Sequence, residues 1–383
     1  MVRIHQRAPL PHLRMRLQPI VTASLLAGMT LLFYGFRITA APPAPDETIF
    51  NRQAQSVAAG STPLFFHVEG DQWLQPLPVY ANAAIRAVGG DEFSGRLAGA
   101  IAGAIDVALV FLIAHVITER SWVGVIAAVL LIFTPAHRSL ATLGTGAIAP
   151  VPMILFWLWS VLTFLTRDSV RTLAAGAAVL GLSAYSHPAA PLTAAFLWLL
   201  AVVVARRRNR IRLAIATLVF GAMSLPAIGW FVQHPDSYAD TFGRWVIFKA
   251  HLRNPLDALR AFINPNTLGN RASLYWGFWD PSWLFFNTRE TPAPLLLIAA
   301  PLIVLGVFRC AKHLPRDIAA LLIGAALLTP LAGATFGTAH YLADAATVIP
   351  IAALFSALGV EQLVRARVPV LVDESIEGAP ADT

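Results

Sequence analysis

Two adjacent acids, Asp46 and Glu47, follow the first apolar stretch that is long enough to cross a membrane. Carboxylates are costly to keep near lipid, so their position indicates chemistry at a membrane surface. An ionised carboxylate at such a surface can take a proton from an acceptor hydroxyl. The structural alternative is a solvated helix N-terminus, where the helix dipole favours acids.

Further acids and potential cations occur in loops that are predicted to lie on the same side of the membrane. Contributions from four separate loops suit a site for a charged lipid headgroup, in which cations would stabilise a phosphate leaving group. These residues are Glu69, Asp71, His137, Arg138, Tyr185, His187, His340, Tyr341 and Asp344. No histidine pair has a metal-ligand spacing such as His-x-x-x-His, which favours scattered histidines over a metal site.

The composition is that of an integral membrane protein. Of 383 residues, 57% are hydrophobic and only 13% are charged, against about 25% charged residues in soluble domains. The net charge of +7 would suit a nucleic-acid-binding protein. However, no basic face interleaved with aromatic residues occurs, so we expect no nucleic-acid partner. The single Cys310 excludes an intramolecular disulfide.

The apolar runs predict an all-α fold of about ten transmembrane helices within a single membrane domain, 1–366, followed by a disordered cytoplasmic tail, 367–383. The first apolar run is predicted to be a retained anchor, because no clear cleavage site precedes Pro42. The ten predicted spans are 18–38, 94–117, 121–136, 147–166, 170–186, 188–205, 211–232, 292–309, 316–336 and 343–364.

The distribution of basic residues predicts the orientation of the chain. With a cytoplasmic N-terminus, 17 of the 28 Lys and Arg residues lie in short cytoplasmic segments, as the positive-inside rule requires. The largest group, Arg206 to Arg212, is interpreted as a determinant of topology. Both termini are then cytoplasmic, and two long loops, 39–93 and 233–291, face outward.

Each long loop is expected to lie at the outer membrane surface. The first should contain two interfacial helices, 47–59 and 76–89, with Asp46 as the N-cap of the first helix after Pro45. The second contains the aromatic run 274–286. Its tryptophans are interpreted as interface anchors in preference to sugar-stacking platforms. They are Trp276, Trp279 and Trp283.

Two charged residues lie in or beside the second span. Asp106 lies in the middle of the span, where an acid needs a partner or water, and structural pairing is favoured over a proton or substrate role. Arg96 follows Glu92 by four residues, which favours an ion pair on the helix surface.

Several short motifs, in their order along 20–365, resemble the GT-C glycosyltransferases, and most closely the protein O-mannosyltransferases and the lipid A aminoarabinose transferase. The chain departs from the family pattern at Gly144 to Ala147, where an acid is often found, and at His340, where an arginine is favoured. The motifs are Asp46-Glu47, Gln75-Pro76-Leu77-Pro78-Val79-Tyr80, Glu92-Phe93-Ser94-Gly95-Arg96-Leu97, Pro150-Val151-Pro152 and Phe278-Trp279-Asp280-Pro281-Ser282-Trp283-Leu284-Phe285-Phe286.

The resemblance implies transfer of a sugar from a polyprenyl-phosphate donor to a lipid, glycan or protein acceptor at the outer face of a bacterial inner membrane. By analogy, Asp46 would be the catalytic base of an inverting attack, and Glu47 would assist it or hold a divalent cation. The donor phosphate would be contacted by Arg138, His187, His340 and Tyr341. A transporter or lipid flippase is the alternative from another class, although such proteins place polar residues at the bilayer midplane. A catalytically silent relative is a third possibility.

Overall fold

The computed structural model describes residues 11–40, 42–68, 72–242, 257, 259–260, 263–288, 291–337 and 342–367. Several features singled out in the sequence lie outside these ranges. They are the candidate site residues His340 and Tyr341, the acids Glu69 and Asp71, and all of the predicted tail except Arg367. In chain order the elements are α1 (Pro11–Ile38), α2 (Pro45–Ala58), β1 (Phe66–Val68), β2 (Gln72–Leu74), α3 (Pro76–Ala87), α4 (Ser94–Thr118), α5 (Ser121–Phe133), α6 (Pro135–Ala141), α7 (Pro150–Arg167), α8 (Val170–Leu182), α9 (Ala190–Ala205), α10 (Arg210–Gln233), α11 (Ser237–Phe242), α12 (Pro265–Gly277), α13 (Pro281–Phe285), α14 (Ala299–His313), α15 (Arg316–Leu328), α16 (Leu331–Phe336) and α17 (Val348–Arg367).

The prediction of a helical membrane protein is confirmed, and a helix occupies each of the ten predicted places. In the described part of the chain, six helical segments are long and apolar enough to cross a membrane. They are Gln18–Ile38, Ser94–Thr118, Pro150–Arg167, Arg210–Gln233, Arg316–Phe336 and Val348–Ala366. The pair α5 and α6, bent by 70°, would make a seventh. The count of ten spans therefore stays a prediction.

The first long loop folds into a small unit of its own. Helices α2 and α3 occupy the two predicted positions, and β1 and β2 form an antiparallel hairpin between them that the sequence analysis did not predict. The apolar faces of these elements meet around Ala54, Phe66 and Val79. The prediction for the N-cap was wrong, because Ala44 caps α2 and Asp46 lies in the first turn. Pro45 is the first helical residue, two positions before the predicted start at 47.

The second long loop packs more deeply than predicted. Trp276 is 65% exposed, which suits an interface anchor, but Trp283 is only 7% exposed and belongs to the main core together with Phe278 and Leu284. The interpretation of Trp283 as an interface anchor was therefore wrong. Its position on the short helix α13, which is capped by the Asp280 side chain, turns the ring inward.

Close approach of helix backbones holds the C-terminal helices together. Gly306 on α14 lies against the Phe355 carbonyl of α17, and Gly359 on α17 lies against the Leu302 carbonyl of α14. A Cβ atom at either glycine would overlap the facing backbone. Small residues of this kind allow helices to associate by packing where lipid provides no hydrophobic driving force.

We expect Gly306→Ala to lower the free energy of unfolding by about 1–3 kcal/mol, since the added methyl group forces the helices apart. Gly221→Ala is the control, because a Cβ at Gly221 in α10 meets no atom within 4 Å. That change should be neutral or stabilising by up to about 1 kcal/mol through helix propensity. Thermal unfolding of the purified proteins in detergent measures both effects, and equal shifts in Tm would contradict the close packing.

Candidate functional site

The Glu47 carboxylate is the centre of a buried polar cluster at the start of α2. Arg96 donates from Nε to Oε1 at 2.9 Å and from Nη2 to Oε2 at 2.7 Å. The backbone N–H of Gly144 donates to Oε1 and that of Ala44 donates to Oε2, both at 2.7 Å. Four donors thus surround the two oxygens of Glu47. The residue is only 3% exposed.

Arg96 connects this carboxylate to two further segments of the chain. Its Nη1 donates to the carbonyl of Ile38 at 2.7 Å, and its Nη2 donates to that of Pro42 at 2.9 Å. The predicted partner Glu92 is exposed. The expectation of a local pair with Glu92 was wrong, because Arg96 pairs with Glu47, which offers both oxygens to the planar guanidinium.

These contacts fix the ionisation of Glu47. Burial alone would raise its pKa, but hydrogen bonds from Arg96, Gly144 and Ala44 and the charge of Arg96 outweigh burial and lower it. Because four donors already occupy the carboxylate, it has no free acceptor position for a proton or a metal ion. Among the residues that the structure describes, no group of three or more His, Cys, Asp or Glu side chains could hold a metal.

Asp46 has the opposite environment from its neighbour. It is exposed in the first turn of α2, and within the described ranges its carboxylate accepts no hydrogen bond and forms no ion pair. A carboxylate with free lone pairs and access to solvent can accept a proton from an incoming hydroxyl. The structure thus separates the acid pair into one fixed and one accessible carboxylate.

A second layer of amides holds α2 in place behind the acids. Asn51 donates from Nδ2 to the backbone carbonyl of Glu92 at 2.7 Å, and its Oδ1 accepts from Asn82 Nδ2 at 2.8 Å. These bonds connect α2 to α3 and to the residues before α4. Because Asn51 and Asn82 are both buried, the bonds also fix the rotation of α2, which determines where its first turn points.

An apolar groove of about 430 Å³ adjoins the polar cluster. Its wall includes the small-residue face of α4, and Gly144, which lines the groove, also donates to Glu47. The groove therefore ends next to the buried ion pair. Its lining residues come from α3, α4, the loop before α7, α7 and α8, and they include Leu77, Gly95, Gly99, Ala102, Ile148 and Phe156.

The loop before α7 requires glycine for steric reasons. Gly146 has a φ of +72°, and a Cβ there would overlap Pro78. A Cβ on Gly144 would lie 3.3 Å from Glu47 Oε1. The segment 144–147 is thus pressed against α3 and Glu47, and the backbone N–H of Gly144 takes part in the site.

Arg138 lies beside a buried chain of hydrogen bonds. Tyr34 Oη lies 2.9 Å from His137 Nδ1, and His137 Nε2 lies 3.2 Å from Asp106 Oδ2. Asp106 therefore has the partner that was predicted for it, although the sequence did not identify His137 as that partner; the preference for a structural role stays a prediction. The signal available was the need of a mid-span acid for a partner. Arg138 itself is half-buried, and its guanidinium donates to no residue in the described ranges.

His187 is a weaker candidate for contacting a phosphate than the sequence suggested. Burial lowers its pKa to about 4, so the ring is neutral at pH 7. Its Nδ1 accepts from the backbone N–H of Ala189 at 3.3 Å, which leaves Nε2 as the only donor. Nearby, the Tyr185 hydroxyl donates to the carbonyl of Met223 and accepts from the N–H of Ala227, and so joins the loop to α10.

Comparisons with known proteins find one family model that matches part of the chain and several solved structures with a similar fold. The family model for dolichyl-phosphate-mannose-protein mannosyltransferases matches residues 75–230. ArnT from Cupriavidus metallidurans, solved with undecaprenyl phosphate, superposes with a TM-score of 0.60 at 13% identity, covering 91% of this chain and 63% of ArnT. The Archaeoglobus fulgidus oligosaccharyltransferase, solved with zinc and sulfate, gives a TM-score of 0.58 at 15% identity. The match covers 91% of this chain and 49% of the oligosaccharyltransferase. This chain therefore spans less than two thirds of either structure. No curated protein matches the sequence.

We expect Glu47→Gln to lower the free energy of unfolding by about 3–5 kcal/mol, because the Arg96 charge would remain buried without its partner. The NH₂ group of the new glutamine would also face N–H donors that in the native protein bind a carboxylate oxygen of Glu47. Glu92→Gln is the matched control and should change stability by less than about 0.5 kcal/mol, since Glu92 is exposed. Similar losses in the two variants, measured by thermal unfolding in detergent, would contradict the assigned pairing.

The lowered pKa of Glu47 predicts that the stability of the protein depends on pH. The pKa of Glu47 is lowered by folding from its ordinary 4.5. The Glu47 carboxylate therefore makes its full contribution to the free energy of unfolding above about pH 4.5. That contribution is lost as the pH falls through the lower pKa of the folded state. Tm measured from about pH 7 to about pH 3 should fall more steeply for the native protein than for Glu47→Gln. Parallel curves would be incompatible with a depressed Glu47 pKa.

Proposed function

We propose that this chain, which has the fold of the GT-C superfamily glycosyltransferases, transfers a sugar from a polyprenyl-phosphate donor to an acceptor hydroxyl at the outer face of the membrane. One observation carries the proposal. The accessible carboxylate of Asp46 directly precedes a buried Glu47–Arg96 pair, and that pair adjoins an apolar groove through Gly144. A base, a rigid support and a place for a lipid chain are thereby combined.

The proposed reaction is a single displacement with inversion at the anomeric carbon. Asp46 takes the proton of the acceptor hydroxyl as the acceptor oxygen bonds to the anomeric carbon. The bond from that carbon to the phosphate oxygen breaks, and polyprenyl phosphate leaves with the electron pair. A positioned general base typically accelerates such a step by about 10²–10⁴-fold.

The two acids then have different tasks. Glu47 is fully hydrogen-bonded, so it acts as a positioning residue that holds the first turn of α2 against α4 and the Gly144 loop. Because Arg96 neutralises the charge of Glu47, Asp46 does not stand beside a second uncompensated carboxylate. This assignment supports the sequence-based choice of Asp46 as base and replaces the assisting or metal-binding role considered for Glu47.

The groove is suited to the isoprenoid chain of the donor. Its volume of about 430 Å³ lies within the usual range for small-molecule sites, roughly 300–1,000 Å³. A chain that moves there from the bilayer gains no hydrophobic stabilisation, because lipid is equally apolar. Packing against the small residues of α4 would instead align the chain and place its phosphate near the polar end of the groove.

Arg138 is the preferred residue for contacting the donor phosphate. It is half-buried and donates to no described residue, so its planar guanidinium can bind two phosphate oxygens at once. A neutral His187 can offer a single hydrogen bond and is therefore secondary. His340 and Tyr341 stay proposed contacts from the sequence. The deep acid Asp106 is paired with His137 and lies outside the lining of the groove, which disfavours a transport role.

We expect Asp46→Asn to lower the rate of sugar transfer by about 10²–10⁴-fold, because the amide cannot accept the proton. The Asp46 side chain makes no described contact, so the free energy of unfolding should fall only by the lost interaction with the helix dipole, about 0.3–1 kcal/mol. Transfer of labelled sugar from polyprenyl-phosphate donors in membranes measures the rate, with Glu92→Gln as a control that retains activity. Native transfer by Asp46→Asn would refute the assigned base. No transfer by the native protein from any such donor would favour a silent relative.

Ala102→Phe tests the groove separately from the base. Ala102 lines the groove on α4, so the larger side chain should block the isoprenoid chain. We expect KM for a long-chain donor to rise by at least about tenfold, while a donor with a short, soluble chain is affected little. Leu199→Phe, at a position on α9 that is 61% exposed, is the control. Equal effects on both donors would place the lipid elsewhere.

A further inference from the structure

Five arginines surround the turn between α9 and α10, and two of them are neutralised. Arg208 Nη2 lies 2.9 Å from Asp317 Oδ2 on α15, and Arg212 pairs with Asp168 after α7. The side chain of Asn209 accepts from the N–H of Arg212 at 3.1 Å and caps α10. These contacts fix the turn between three neighbouring elements, so the remaining arginines project from a rigid base.

The other three arginines, Arg206, Arg207 and Arg210, are exposed and have no carboxylate partner in the described part of the chain. Three positive charges thus remain together at the end of two apolar helices. Satisfying the positive-inside rule requires only that these residues lie in the loop. It does not require them to line a cavity.

A groove of about 990 Å³ runs from these arginines along α9 and α10. It is present because α10 packs mainly on α8 and only slightly on α9. One face of α10 at helical spacing consists of Arg210, Leu213, Ala214, Thr217 and Leu218. It lies opposite Val202 of α9 and Arg206, the residue after that helix. From 210 to 218 the face extends for about 12 Å. Beyond Arg210, the one polar side chain on this face is Thr217, which donates to the carbonyl of Leu213.

We propose that this groove is a binding site for an anionic phospholipid. The lipid phosphate would lie among Arg206, Arg207 and Arg210, and one acyl chain would follow the apolar face towards Leu218. Charge complementarity selects an anionic headgroup, and the apolar wall below the arginines selects a lipid over a free phosphate. Basic pockets between helix ends are suited to such headgroups. The site is independent of sugar transfer and of the groove near Glu47.

The full-length protein in neutral detergent, titrated with phosphatidylglycerol or phosphatidylcholine and followed by native mass spectrometry, tests the charge requirement. Arg206→Gln, Arg207→Gln and Arg210→Gln together should weaken phosphatidylglycerol binding about 100-fold, at about fivefold for each arginine. The matched control removes three exposed arginines outside the groove, Arg167, Arg171 and Arg316, and should have little effect. Equal losses in the two variants, or equal binding of both lipids by the native protein, would overturn the proposal.

Ala214→Trp tests the acyl-chain contact while every arginine is retained. The indole would fill the groove beside α10, so we expect at least a tenfold loss of phosphatidylglycerol binding with the topology unchanged. Inorganic phosphate should not displace the lipid at millimolar concentration. Unchanged binding by Ala214→Trp, or displacement by inorganic phosphate, would show that the arginines attract anions without a lipid groove and would also overturn the proposal.

Discussion

The pairing of Glu47 with Arg96 is the interaction on which the organisation of the site depends. The two residues are 49 positions apart, and together they bring the end of α1, the start of α2, the start of α4 and the loop before α7 to one point. Removing both charges from water is costly, and the gain from their attraction exceeds that cost only when the remaining hydrogen bonds are made. Here the backbone N–H groups of Ala44 and Gly144 satisfy the carboxylate, and the carbonyls of Ile38 and Pro42 satisfy the guanidinium.

The glycines around this pair are a consequence of the same constraint. Gly95 and Gly99 on α4 face the backbone of residues 141–144, and a Cβ at either position would come within 3.0 Å of a carbonyl oxygen there. The chain next to Glu47 therefore has room for a backbone N–H but not for another side chain. The acid that the sequence resemblance leads one to expect in this loop is absent, and the backbone N–H of Gly144 donates to Glu47 there.

The helices and their order were predictable from the sequence, because apolar runs of the required length are a local property. The acid pair was also recognisable as a candidate site from its position after the first span. The distinct roles of the two acids were not predictable, since they depend on which one faces Arg96 across the fold. For the same reason Arg96 was assigned to the nearby Glu92, although its partner Glu47 is 49 positions away. Trp283 was assigned to the membrane interface because aromatic runs are typical there, whereas its ring belongs to the main core.

The hydrogen bond between Tyr34 and His137 affects the order in which the chain can assemble during synthesis. The two residues are 103 positions apart, so at about 5–20 residues per second the ribosome makes His137 roughly 5–20 s after Tyr34. Until then α1 lies in the bilayer without its polar partner, and Asp106 has entered on α4 without a histidine beside it. Helix α1 therefore gains this polar contact only after α6 has been made. A nascent chain that ends before α6 would hold α1 and α4 without the polar contact that joins them through His137.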